Sequence, residues 1–224
     1  SFAPRRSSDL NPAVGSTYPT QFTGNVGDPI VNLNNNIYAA FVQDQWGPAD
    51  QIVQFAAANK MEMRYHTLLW HSQIADWFFL DAAGRDMTLE TDPAKREANK
   101  KLLLKRLGDH IAAIVGRYKD RIKSWDVVNE VIDPSEPNGL GRSKWYQITG
   151  TDYIETAFRT ARKVGGPEIK LYITDYNTDD PVKRDFLLKL IREMLAKGVP
   201  IDGVGHQAHV NIEQPSVTAL SDRS

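Results

Sequence analysis

The stretch RIKSWDVVNEV (121–131) decides the fold, because it is typical of a buried strand that ends on functional groups. A long amphipathic helix is predicted before it, over 88–118 behind a Thr/Asp cap region, and a strand is predicted over 61–70. A strand, a helix and a second strand in this order predict two parallel strands joined by a right-handed crossover.

The same alternation continues on both sides of this unit. The further predicted elements are helices over 49–60, 151–165 and 180–198, and strands over 169–177 and 201–210. Repeated strand–helix units with short connections predict an α/β fold built on a parallel sheet.

The predicted strands end on hydrogen-bonding side chains, namely His, Asn-Glu, Asp-Tyr-Asn and Gln-Ala-His. Such groups are typical of a barrel whose active site lies at the carboxyl ends of its strands. A doubly wound sheet also binds ligands at strand ends, but the sequence has no glycine-rich phosphate loop. We therefore predict a (β/α)₈ TIM barrel, incomplete because four strands are recognised where closure needs eight.

Composition excludes several classes of function. The chain has 224 residues and a formal net charge of −1, so neither nucleic acid nor an anionic membrane is predicted as a partner. Cysteine is absent, which excludes disulfide bonds and thiolate metal sites. No run approaches the ~18 apolar residues of a membrane helix, and the first residues lack the apolar region of a signal peptide. The compartment stays open between secreted and cytoplasmic.

Glu130, at the end of WDVVNE, is the candidate for acid–base chemistry. Cleavage of a glycosidic bond needs a carboxylic acid that protonates the leaving oxygen. The alternative is a Glu that caps a helix or forms a salt bridge. In a regular strand Asn129 would point to the opposite side, so a local twist or bulge is needed for both residues to face one sugar.

HTLLWH (66–71) supplies an aromatic ring and histidines at another strand end. Trp70 offers an apolar face to a pyranose ring, and His66 can donate to a sugar hydroxyl. Alternatively, Trp70 is a core residue and His66 a satisfied buried histidine. A metal site is a further alternative, but the histidine spacing matches no zinc signature and HExxH is absent, so we predict no metal and no cofactor. The histidines concerned are His66, His71, His206 and His209.

Four motifs, in this order, resemble those of the glycoside hydrolase family 10 endo-1,4-β-xylanases. They are HTLLWHSQ (66–73), WDVVNE (125–130), LYITDYN (171–177) and GVGHQAHV (203–210). The resemblance runs from about Ala49 to about Ile212 and implies strands equivalent to the third to sixth of the barrel. It also implies retaining hydrolysis of the β-1,4-xylosidic bonds of xylan, with one carboxyl group as acid/base and another as nucleophile.

The resemblance assigns roles to residues on two of the strand ends. Glu130 matches the acid/base of the family, and Asn129 matches the asparagine that bonds the 2-hydroxyl of the sugar at the cleavage point. His66 and Trp70 match residues that line the same subsite. The implied partner is therefore xylan or a xylo-oligosaccharide.

The other two strand ends receive roles in the same way. Gln207 and His209 match the pair around the nucleophile, and they alternate along their strand, so both should point the same way. Tyr176 and Asn177 match cleft residues on the leaving-group side.

Two regions depart from the family pattern. The family nucleophile is a Glu in a T-E-L-D-like strand after Gln-x-His, whereas here VNIEQPSVTALSDRS (210–224) holds only Glu213, in a loop, and we do not assign it that role. At the other end, NNNIYAAFVQDQW (34–46) does not match the E-N-x-M-K motif, although NIYAAFVQDQW (36–46) is strand-like. We therefore predict two segments: 1–48, non-matching and disordered or chimeric, and 49–224, a partial barrel.

These features lead to two functional hypotheses. The first is an endo-1,4-β-xylanase-type hydrolase from which we expect little turnover, because the nucleophile strand is missing. The second is a catalytically dead remnant that binds xylo-oligosaccharides. In either case an open parallel sheet leaves unpaired strands, which predicts self-association through the open barrel edge.

Overall fold

The computed structural model of the chain describes residues 37–40 and 46–209. Within these ranges five parallel strands form one sheet, in which each strand lies beside its predecessor in the chain. Helices connect successive strands, as in a (β/α)₈ barrel. This arrangement confirms the predicted fold class in its incomplete form. The strands are β1 (Ile37–Ala40), β2 (Glu62–Leu69), β3 (Ser124–Asn129), β4 (Lys170–Tyr176) and β5 (Gly203–Gln207).

The helices follow the strands on one side of the sheet, and two short 3₁₀ helices lie between β2 and the long helix α2. The α-helices are α1 (Trp46–Ala58), α2 (Pro93–Tyr118), α3 (Lys144–Thr149), α4 (Asp152–Gly165) and α5 (Pro181–Ala196). The 3₁₀ helices are Asp76–Phe79 and Met87–Leu89.

The structure adds two details to the predicted organisation. The described residues contain five strands rather than four, because β1 pairs in parallel with β2 from Ile37↔Glu62 to Ala40↔Tyr65. The predicted boundary at residue 48 falls inside the first turn of α1, since that helix begins at Trp46. The rest of the predicted segment 1–48 lies outside the described residues, and its origin stays a prediction.

The long helices begin at Asp-Pro pairs, for the same physical reason in both cases. The Asp92 side chain accepts from the Lys95 backbone N–H (2.9 Å), and Pro93 follows it at the start of α2. An aspartate cap satisfies a free N–H of the first turn, and proline needs no such partner. Asp180 and Pro181 start α5 in the same way, with Asp180 accepting from Lys183 N (2.8 Å). These caps fix where each crossover helix begins after its strand.

The apolar core lies between the sheet and the helices. Tyr65 and Trp125, from neighbouring strands, stack at 5.0 Å on this side of the sheet. Helices α2 and α4 cover them with side chains that are almost completely buried. The fully buried large side chains include Leu103, Leu107, Ile111, Ile154, Phe158, Leu171 and Ile173. Burial of this apolar area is the main driving force for the fold.

The opposite face of the sheet is polar. Arg64 on β2 donates to Asp126 on β3, and its guanidinium lies 4.2 Å from the ring centroid of Tyr172 on β4. On β5, a Cβ at Gly205 would overlap both the Arg64 guanidinium and the Thr174 methyl group. The absence of a side chain at Gly205 therefore leaves the space that the Arg64 guanidinium and the Thr174 methyl group occupy.

Leu107→Ala should lower the free energy of unfolding by about 2–5 kcal/mol, because it leaves a cavity in the helix–sheet core. Leu107 is 1% exposed on α2. Leu89→Ala is the matched control, since Leu89 is 79% exposed, and should change the free energy by less than about 0.5 kcal/mol. Urea denaturation of both variants measures the difference. Equal effects would show that α2 does not pack as described.

Candidate active site

The candidate site lies at the carboxyl ends of β2, β3, β4 and β5, where parallel strands place their functional groups along one edge of the sheet. Each of these strands ends on, or is directly followed by, a residue that the sequence analysis singled out. Those residues are His66 and Trp70, Asn129 and Glu130, Tyr176 and Asn177, and Gln207 and His209.

The carboxylate of Glu130 is held by one neutral donor on each oxygen. Trp70 Nε1 donates to Oε2 (2.8 Å), and Gln207 Nε2 donates to Oε1 (3.0 Å). Both donors come from other strand ends, so the carboxylate is fixed relative to three strands. Among the described residues it caps no helix and forms no salt bridge with Lys or Arg. The alternatives raised for Glu130 from the sequence are therefore not seen.

The backbone conformation at Glu130 brings the side chains of Asn129 and Glu130 to the same side, although neighbours in a regular strand point to opposite sides. Glu130 lies one residue past β3 with φ +54°, a left-handed conformation that non-glycine residues seldom adopt. The pairing of β3 with β4 also shifts register between Asp126 and Val128. As a result Gln207 Nε2 donates to both Asn129 Oδ1 (2.7 Å) and Glu130 Oε1 (3.0 Å). The local twist that the sequence analysis required is present.

Asn129 presents an amide donor with no partner. Its side-chain Oδ1 accepts from Thr174 Oγ1 (2.7 Å) and from Gln207 Nε2 (2.7 Å). These two donors fix the orientation of the amide, and Nδ2 is left buried without a hydrogen bond among the described residues. A buried polar group without a partner is costly. The arrangement is suited to a ligand that brings a hydrogen-bond acceptor.

His66 is oriented by a residue that the sequence analysis did not select. His66 Nδ1 donates to Asp126 Oδ2 (3.0 Å), while Arg64 donates to Oδ1 from Nε (2.8 Å) and Nη2 (2.5 Å). The other ring nitrogen, Nε2, then faces away from this carboxylate. The register partner of His66 is Asp126, and this register between β2 and β3 is not fixed by the sequence, so no signal in the two motifs revealed the pair.

Trp70 is half-buried, and the backbone around it is supported by a buried aromatic cluster. Trp145 Nε1 donates to the Trp70 carbonyl oxygen (3.0 Å). Trp145 is 2% exposed and packs edge-on against Phe78 (5.5 Å) and Phe79 (5.1 Å). The loop that supplies Trp70 is thus anchored to α3, which the sequence analysis did not recognise. Stacking of Trp70 on a sugar stays a prediction.

The end of β4 combines an exposed ring with a buried ion pair. Lys183 Nζ lies 3.2 Å from the ring centroid of Tyr176, which is 39% exposed. The same Nζ lies 2.7 Å from Asp175 Oδ1, and neither charged side chain is exposed by more than 3%. Burial raises the pKa of Asp175, and the adjacent Lys183 opposes that rise. Asn177 is exposed and left-handed (φ +49°), and Tyr176 and Asn177 make no described bond to Glu130.

Gln207 and His209 face the same side, as their spacing predicted. His209 Nε2 donates to Gln207 Oε1 (2.9 Å), so the oxygen and the nitrogen of the Gln207 amide are both engaged. The amide is therefore locked in one orientation, with its NH₂ towards Asn129 and Glu130.

Three of the four histidines considered as metal ligands bond other side chains. Residues 37–40 and 46–209 hold no group of three or more His, Asp or Glu side chains placed to bind an ion. Two of the four histidines are held within the strand-end network, His66 by Asp126 and His209 by Gln207. His206 bonds through Nδ1 to Thr178 Oγ1 (2.6 Å).

In residues 37–40 and 46–209 no helix has both the length and the apolar character to span a membrane.

Comparison with known proteins confirms the resemblance. The model of glycosyl hydrolase family 10 matches residues 32–223. A thermostable celloxylanase from Thermoclostridium stercorarium is 64% identical over 176 residues, which cover 79% of this chain and 46% of the relative. The crystal structure of xylanase B from Clostridium stercorarium F9 has a TM-score of 0.81 at 57% identity, covering 84% of this chain and 59% of that one. A solved mutant in complex with xylotriose has a TM-score of 0.69 at 38% identity, covering 80% and 51%. The chain thus spans about half the length of the relatives it matches.

Thr174→Val should lower the free energy of unfolding by about 1 kcal/mol, because it removes the hydroxyl that donates to the buried Asn129 Oδ1. Thr91→Val is the matched control at an exposed position and should change it by less than about 0.5 kcal/mol. Chemical denaturation of both variants measures the effect. A Thr174 variant as stable as the control would contradict the described orientation of Asn129.

Proposed function

We propose that this chain, which belongs to glycosyl hydrolase family 10, carries the acid/base side of an endo-1,4-β-xylanase active site. The observation that carries the proposal is the Glu130 carboxylate, bonded by Trp70 and Gln207 beside the unpaired amide donor of Asn129. A carboxyl group and a hydroxyl-binding donor, fixed side by side on one strand end, supply the acid/base part of glycoside hydrolysis.

Glu130 acts first as an acid and then as a base. In the first step a nucleophilic carboxylate attacks the anomeric carbon, the glycosidic C–O bond breaks, and the leaving oxygen takes the proton of Glu130. In the second step a water molecule gives a proton to Glu130. The oxygen of this water attacks the anomeric carbon and releases the nucleophilic carboxylate. The Trp70 N–H and the Gln207 amide stabilise the carboxylate that forms between these steps and hold it in place.

The donors around Glu130 define the sugar that it cleaves. Asn129 Nδ2 donates to a hydroxyl of the sugar at the cleavage point, and His66 contributes Nε2 because its Nδ1 is bound to Asp126. Tyr176 supplies an exposed ring on the leaving-group side. The complex of a similar solved protein with xylotriose supports xylan or a xylo-oligosaccharide as the ligand.

We assign the nucleophile to none of the carboxyl groups in residues 37–40 and 46–209. Asp126 is bound by Arg64 and His66, and Asp175 is bound by Lys183, so each already neutralises a cation. Glu213 lies outside the described residues. The second carboxylate of the retaining mechanism, about 5–5.5 Å from the first, therefore belongs to another part of the fold.

A second candidate function is binding without cleavage. The groups that would hold a sugar are present in the described residues, whereas the second carboxylate is not assigned there. In this case the chain binds xylo-oligosaccharides through Asn129, His66, Trp70 and Gln207 and releases no product.

Glu130→Gln should decrease reducing-sugar release from xylan at least ~100-fold, because an amide cannot supply the proton. Xylotriose binding, measured by calorimetry, should stay close to that of the unmodified chain, because the amide has nearly the same shape as the carboxylate. Glu136→Gln is the matched control, since the Glu136 carboxylate bonds Arg142 on a loop outside the network.

The outcomes separate the two functions. Release that survives in the Glu130 variant would remove Glu130 from the acid/base role. Binding of xylotriose by the unmodified chain with no sugar release would favour binding without cleavage. Absence of both would contradict both candidate functions.

We also propose that the chain self-associates through its sheet edge. In the part of the chain that the structure describes, β5 pairs with β4 alone, and the residues of β5 are mostly incompletely buried. Unpaired backbone groups on an edge strand can pair with a second copy. Sedimentation analysis should show a mass that rises with protein concentration. The mass of a single chain at every concentration would contradict this proposal.

A further inference from the structure

Asp175 and Lys183 form an ion pair directly beside the turn that carries Glu130. Asp175 Oδ1 and Lys183 Nζ are 2.7 Å apart, and the two side chains are 0% and 3% exposed. Neither residue contacts Glu130 through its side chain in the described network, so neither is assigned a part in the chemistry above.

Asp175 binds the backbone just beyond Glu130. Its Oδ2 accepts from Ile132 N (3.1 Å), two residues after Glu130, and its Oδ1 accepts from Tyr176 N (2.9 Å). The preceding residue, Thr174, accepts from Glu130 N through its carbonyl oxygen (2.8 Å). Consecutive residues of β4 thus hold the backbone on both sides of the left-handed Glu130.

These two bonds from β4, which we call the clamp, hold a backbone conformation that is unfavourable by itself. A non-glycine residue with positive φ costs about 1–3 kcal/mol and persists only where its surroundings determine it. The Glu130 turn has two such determinants from β4, one a backbone carbonyl and one the Asp175 carboxylate. The carboxylate is the one that a side-chain substitution can remove.

Lys183 links this clamp to the exposed ring of Tyr176. It lies in the first turn of α5, where the Asp180 cap accepts its backbone N–H (2.8 Å). Its ammonium group contacts the Tyr176 ring (3.2 Å to the centroid) and the Asp175 carboxylate at once. Lys183 therefore holds both the Tyr176 ring on the leaving-group side and the Asp175 carboxylate that bonds the backbone after Glu130.

A gain in folding stability is a weak explanation for the buried ion pair of Asp175 and Lys183. Desolvation of two charges costs as much as their attraction returns, and well-packed apolar residues often serve equally well. The burial that raises the pKa of Asp175 is opposed by Lys183, which favours the charged form of the carboxylate that accepts from Ile132 N.

We infer that Asp175 and Lys183 are positioning residues, which hold the turn at Glu130 and the Tyr176 ring in the geometry of the cleft. This inference rests on the proposed function for the role of Glu130, but the position of the Glu130 carboxylate can be tested without any substrate.

The indole N–H resonance of Trp70 in ¹⁵N-labelled chain is the readout, because that N–H donates to Glu130 Oε2. Glu130→Ala gives the resonance position of Trp70 when its acceptor is lost. Lys183→Met should shift the Trp70 resonance towards that position. The Trp125 indole, which donates to Ile122 O in the buried core, should stay in place and report that the fold is intact.

A control and a second variant keep the test decisive. Lys197→Met, the same substitution at the other end of α5 in the exposed pair with Glu155, should leave the Trp70 resonance unchanged. If Lys183→Met does not fold, the double variant Asp175→Asn/Lys183→Met removes both charges, leaves no buried charge alone, and should give the same shift.

A measurement on the unmodified chain completes the design. The Ile132 amide should exchange slowly with solvent deuterium because it is bound to the buried Asp175 carboxylate. An unprotected Ile132 amide, or a Trp70 resonance that stays in place in a folded variant of Lys183, would overturn the inference. A chain that neither binds nor cleaves xylo-oligosaccharide, but shows the resonance shift, would contradict the proposed function and leave the positioning role standing.

Discussion

The geometry of the site depends on the left-handed conformation of Glu130 at the end of β3. That single backbone angle brings Glu130 to the same side as Asn129, where one amide of Gln207 can bind both. The bond from Glu130 N to the Thr174 carbonyl oxygen holds the turn against β4. Since the energetic preference of an isolated chain opposes this conformation, the neighbouring strand must impose it. The site is therefore a property of the parallel sheet rather than of the WDVVNE motif alone.

Most polar atoms around Glu130 already have a hydrogen-bond partner within the protein, which determines which groups are left for a ligand. The Gln207 amide is engaged at both ends, and the Asn129 oxygen and both Glu130 oxygens each have a protein donor. The remaining unpaired polar atom of this network in the described residues is Asn129 Nδ2. Asn129 Nδ2 is thus the donor that this network leaves for a ligand, beside the Glu130 carboxylate.

Much of this architecture follows from the sequence, and the exceptions have identifiable causes. Regular alternation of apolar stretches and the Asp-Pro caps predicts the long helices and four of the strands, because each signal is repeated over many residues. The six-residue α3 is too short to show a period, so it was not predicted, whereas the four-residue β1 lies within the run 36–46 that was recognised as strand-like. The boundary predicted at residue 48 falls inside α1. The strand ends predicted the candidate site residues. The roles of Asp126, Thr174 and Lys183 were missed because they arise from contacts with neighbouring strands, and for Lys183 from a contact between α5 and β4.

Gly205 connects the polar face of the sheet to the orientation of the Asn129 amide. Any side chain at this position would push against the Thr174 methyl group, and the Thr174 hydroxyl is what orients the Asn129 amide. A substitution on β5 can thus change the donor at the end of β3 without touching the cleft. In a mutational landscape of this chain, variants at position 205 would show epistasis with Thr174 and Asn129.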